Sequence, residues 1–236
     1  NMANKNKKNL ILFITFLIFL FPSYVYSHNV TEGDAGYIQE IWGVHIIPFI
    51  YLGAKHMVTG YDHILFLLGV IFFLYRFKEI AIYVSIFAFG HSTTMLLGVI
   101  YNWGFNAYFV DAVIGLSVVY KALDNLGMYQ KWFNYQPNTK LATLIFGFIH
   151  GTGLATKILD YNIADDGLLF NLLSFNVGVE IGQILALTFI LIIMGFWRRS
   201  EKFMRQAYFA NILMVFLGIL LMSLQINGYF DNLNTK

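Results

Sequence analysis

Residues 56–75 read HMVTGYDHILFLLGVIFFLY. Two histidines and an aspartate head an apolar run that, with the residues before it, is long enough to cross a bilayer. Ionisable side chains at membrane depth are costly and rare, so each is read first as functional. Fold class and chemistry are decided together here.

The rest of the chain has the same character. Of its 236 residues, 58% are hydrophobic and 12% charged, against roughly 25% charged in soluble domains. Mean hydropathy is +0.63. The 24 Phe and 15 Tyr suit lipid-facing and interfacial positions, and the 20 Gly suit close helix packing. A net charge of +2 spread between apolar runs excludes a nucleic-acid surface. With no cysteine, disulfides, thiolate metal sites and cysteine nucleophiles are excluded as well.

Six apolar runs can be marked, at about 48–75, 80–100, 107–121, 141–158, 168–197 and 206–226. Arg76 and Lys78, then Lys121, Lys131 and Lys140, then Arg198, Arg199, Lys202 and Arg205 fall in every second loop between these runs, all on one side. That bias places those loops in the cytoplasm and the N-terminus outside. The expected fold is an all-α membrane protein, a six-transmembrane-helix bundle in a bacterial inner membrane, crossing it several times. Residues 1–27 read as a cleavable signal peptide: Lys5, Lys7 and Lys8, an apolar stretch from Leu10 to Phe21, and a small-residue site ending at Ser27. An uncleaved anchor helix is the alternative. Residues 28–47 form a short periplasmic lead, 48–226 the transmembrane domain and 227–236 a periplasmic tail. A faint internal echo, Phe89-Gly90-His91 against Phe146 to His150, suggests an inverted repeat of spans one to three in spans four to six.

Candidate ligands lie in five of the runs: His56, Asp62 and His63, then His91, Asp111, His150, and Glu180 with Asn176. Counting along each helix from its cytoplasmic anchor puts His63, His91, Asp111, His150 and Glu180 about 15 to 27 Å deep. That is one layer, from the middle to the outer third of the bilayer. His56 and His63 are seven positions apart, so on an unbroken helix they are about 10.5 Å apart on one face. One ion touches both only where the helix breaks, and Gly60 lies between them. Asp62 is suited to orient an imidazole from behind. Imidazole with carboxylate fits nickel, cobalt, zinc or iron. A freed N-terminal His28 would offer amine and ring as a chelate that collects ions. The plainer readings are packing for Met57 and Met95, interhelical hydrogen bonds for Asp111 and Asn176, and snorkelling for Lys55 and Lys157.

Three blocks, HMVTGYDH followed by ILFLL, FGFIHGTGLA (Phe146 to Ala155) and FNVGVEIGQ (Phe175 to Gln183), resemble the first-, fourth- and fifth-span motifs of the HupE/UreJ family. The resemblance implies a six-span protein with a cleaved signal, linked to nickel uptake for hydrogenase and urease. It matches His56, Asp62 and His63 to the first motif, His150 to the second and Glu180 to the third. Met57 departs from the proline often found there in the nickel-permease branch, and the later blocks are nearer the family's second branch.

The expected function is a permease that binds and passes a divalent transition-metal ion, nickel foremost. Without a P-loop, transport is passive or ion-coupled. Two rivals use the same residues: an intramembrane metal-dependent hydrolase, and a non-catalytic membrane partner subunit whose polar groups bond helices together. No Gly-x-Ser-x-Gly elbow supports a serine hydrolase. The expected partners are the metal ion and membrane lipids, with a second copy or a membrane partner protein left open.

Overall fold

The structure, a computed structural model, describes residues 42–159 and 166–234. The expected signal peptide, His28 and most of the expected lead lie outside the described residues. Among those described, every regular element is a helix: α1 (Ile46–Thr59), α2 (Tyr61–Ile71), α3 (Phe77–Ile100), α4 (Ala107–Asn125), α5 (Met128–Phe133), α6 (Thr139–Leu159), α7 (Leu168–Trp197) and α8 (Phe203–Asn234). The second to fifth apolar runs agree closely with their helices, while α8 extends beyond the sixth run and takes in most of the stretch read as a tail. Four of the helices, α3, α6, α7 and α8, are long and apolar enough to cross a membrane. The fourth helix has 19 residues, and its Asp111, Lys121 and Asp124 are buried against its neighbours.

The first run departs from expectation. It is two short helices of 14 and 11 residues with Gly60 between them. Pro48 fits in the first turn of α1, where its missing N–H costs nothing. The second helix is a core element rather than a lipid-facing one, since every residue from Asp62 to Ile71 is buried. A short helix ending inside the protein leaves its last carbonyls without intrahelical donors. Here Arg198 donates to the Ile71 and Phe72 carbonyls at 2.5 and 3.0 Å, and Asn125 to the Gly69 carbonyl at 2.9 Å. The Asn125 amide also reaches Asn211, tying α8 to the same point.

Six of the helices pack mainly in pairs: α1 with α7, α3 with α6, and α4 with α8. Glycines allow the close approach. A side-chain carbon on Gly53 would collide with the Phe175 carbonyl of α7, and one on Gly147 with the Phe87 carbonyl of α3. Such small-residue seams are how helices gain packing energy where lipid removes the hydrophobic drive. Phe72, Trp197 and Phe203 fill the far end of α2, with ring centroids 5.3 to 6.2 Å apart.

Candidate metal centre

Gly60 makes the site. Its backbone is extended, with φ −73° and ψ 101°. Its N–H still closes the last turn of α1 on the His56 carbonyl at 2.9 Å, and its carbonyl opens α2 by accepting from Ile64 at 3.1 Å. The chain thus leaves the helix for one residue and re-enters it at a new angle. His56 and His63, about 10.5 Å apart on a continuous helix, come to a ring-centroid separation of 5.0 Å. Any side chain at position 60 would intrude, because its Cβ would lie 2.6 Å from His63 Nδ1.

His91, from the middle of α3, completes the group. Its ring lies 5.7 Å from His63 and 6.2 Å from His56. One nitrogen from each of His56, His63 and His91 lies within 4.8 Å of the others. Two imidazoles on one tetrahedral ion are about 3.4 Å apart, given metal–nitrogen bonds of about 2.1 Å. Small side-chain rotations therefore bring the three to ligand distance. His63 and His91 are fully buried. Both ring nitrogens of His91 lack a hydrogen-bond partner among the described residues, an arrangement that costs free energy unless something else occupies them.

The tautomers follow from the acceptors. His150, on α6, lies 5.1 Å from His63. Its Nδ1 meets the Phe146 carbonyl at 2.7 Å; a carbonyl only accepts, so Nδ1 carries the proton and Nε2 keeps its lone pair. His63 Nδ1 lies 3.1 Å from Asp62 Oδ1, which favours the same tautomer in His63. Asp62 thus orients its own neighbour in the chain. A wall of rings encloses the cluster. Phe87 contacts His63, His91 and His150, Phe66 contacts His150, and Phe175 contacts His56. Sequence reasoning missed these aromatics, although Phe87 stands four positions before His91, as Phe146 does before His150, the spacing of one helix face.

Three expected residues are elsewhere. Glu180 is exposed on α7 and lines a groove of about 550 Å³ between α3 and α7, beside Ser92, Thr93 and Gln183. It faces this groove and not the histidine cluster. Asp111 is held by Lys157 at 2.8 Å, both buried. Lys157 is therefore an ion-pair partner rather than a snorkelling residue. Asn176 is buried next to Phe175, and neither of its amide atoms has a hydrogen-bond partner among the described residues.

No curated protein matches this chain. No solved structure matches it either. A family model described as HupE / UreJ protein matches residues 32–232, nearly the whole length, and the chain belongs to that family.

Proposed function

We propose that this chain is a six-span permease of the bacterial inner membrane that carries a divalent transition-metal ion, nickel ahead of cobalt, zinc and iron. The observation that carries the reading is the convergence of His56, His63 and His91 from three separate helices. Four helices apolar enough to span, and a family model covering residues 32–232, support the membrane setting. The broken first span, α1 with α2, and the polar but buried α4 supply the remaining two crossings.

In this reading the ion is the substrate. It exchanges water for imidazole nitrogens, with Asp62 orienting His63, and leaves towards the other face. Neutral nitrogen ligands without thiolate suit nickel and its neighbours. A trio that must close by side-chain rotation suits an ion that has to leave again. The test is flux of nickel, cobalt, zinc and iron into liposomes containing the purified protein. His63→Ala, which removes the central ring, should abolish flux while the protein still inserts. Normal flux in that variant would sink the reading.

A further inference from the structure

The helix pairings repeat one another residue by residue. In the α1–α7 seam a Cβ on Gly53 would strike the Phe175 carbonyl, and one on Gly178 the Ile50 carbonyl. In the α6–α3 seam a Cβ on Gly147 would strike the Phe87 carbonyl, and one on Gly90 the Leu144 carbonyl. Replacing Ile50 and Gly53 by Leu144 and Gly147, and Phe175 and Gly178 by Phe87 and Gly90, converts the first seam into the second. The agreement extends one turn further. Gly182 abuts the Ala54 carbonyl, and at the matching place Thr94 donates to the Phe148 carbonyl at 2.6 Å.

The third seam maps onto itself. A Cβ on Gly115 would meet the Gly218 carbonyl and the Met222 amide, and one on Gly218 the Gly115 carbonyl and the Val119 amide. An exchange of two equivalent halves accounts for all three patterns. One half runs from α1 to α4, the other from α6 to α8. The faint sequence echo had paired the wrong helices: α3 and α6 are contact partners, while α1 corresponds to α6 and α3 to α7. With three spans in each half, the second enters the membrane upside down relative to the first.

The halves differ where the ion would sit. In the first, the chain is broken at Gly60, four residues after His56. In the second, His150 takes the place of His56, and α6 runs unbroken through Gly151, Gly153 and Leu154. His63 stands between these two equivalent histidines, with ring centroids 5.0 Å from His56 and 5.1 Å from His150. We propose that the protein has a second conformation in which α6 opens beside His150 while α1 and α2 join through Gly60. In it the ion passes from His56, His63 and His91 to His63 and His150, and the centre faces the other side of the membrane. The proposal rests on the permease reading and deepens it by assigning His150 as the release station.

Because the chain has no cysteine, introduced pairs can be spin-labelled cleanly. Tyr51→Cys with Tyr75→Cys brackets the first hinge, and Lys140→Cys with Leu159→Cys the second. Double electron–electron resonance in lipid nanodiscs, without metal and with diamagnetic Zn2+, reads both distances. Across an unbroken α6 the second pair is about 28 Å apart. The expected result is two populations at each hinge, in reciprocal proportion: where the first pair lengthens, the second shortens, and Zn2+ shifts the ratio. A single distance at both hinges under both conditions overturns the proposal, and so does movement at one hinge alone. Zn2+ binding by calorimetry is measured alongside. If it is absent the permease reading falls, while the metal-free distances still decide whether the second conformation exists. Retained Zn2+ affinity in the labelled pairs certifies their fold.

Discussion

Asp62 Oδ1 accepts from both the backbone N–H of His63, at 2.9 Å, and its ring Nδ1, at 3.1 Å. One carboxylate thereby fixes the backbone at the start of α2 and the face the imidazole presents. It also places negative charge in the first turn of α2, where the helix dipole favours it. Asp62→Asn keeps the size and loses the charge and part of the acceptor capacity. Nickel affinity, measured by calorimetry on the purified protein, should fall by about 10- to 100-fold with little change in thermal stability. An unaltered affinity would show that His63 needs no orienting partner.

Gly60 and Gly53 should separate function from fold. At Gly60 an added Cβ meets the His63 ring, and at Gly53 it meets the backbone of α7. Gly60→Ala should therefore weaken nickel binding while the helix bundle persists. Gly53→Ala should lower the unfolding temperature in detergent, because two helix backbones must move apart. Similar behaviour of the two variants would contradict the assignment.

Glu180 should be dispensable for binding. It has no hydrogen bond or ion pair to any described residue, and it lines the α3–α7 groove rather than the histidine cluster. Glu180→Gln should leave nickel affinity within about twofold, a margin that corresponds to less than about 0.5 kcal/mol. A tenfold loss on titration would return Glu180 to the ligand set.

Much of this was legible in the sequence, for identifiable reasons. Apolar runs report helices directly, so α3, α4, α6 and α7 begin and end close to where hydropathy puts them, whereas α8 continues eight residues past its run, to Asn234. Counting residues along a span gives depth, and depth correctly grouped His63, His91 and His150. It does not give azimuth, which is why Glu180 was grouped with them as well. Lys157 was misread because its partner, Asp111, lies 46 positions away on another helix. The break at Gly60 was legible only as a condition, since one glycine in an apolar run is compatible with a continuous helix. The proposed repeat shows in the sequence only as a faint echo that pairs the wrong stretches, because it is carried by a few glycines at backbone contacts rather than by similar side chains.

The Lys157–Asp111 pair yields the last test. Its side chains are 8% and 6% exposed, and the ions lie 2.8 Å apart. Removing one partner of a buried pair strands the other charge and typically costs about 3 to 5 kcal/mol. Removing both takes away the stranded charge along with the attraction. Lys157→Met should therefore lower the unfolding temperature markedly, and adding Asp111→Leu should recover part of the loss. Because the pair lies outside the histidine trio, the double variant should bind nickel with near-native affinity once folded. If instead the double variant is as unstable as Lys157→Met and binds no nickel, the pair belongs to the ion's path and not to the frame that holds α4 against α6.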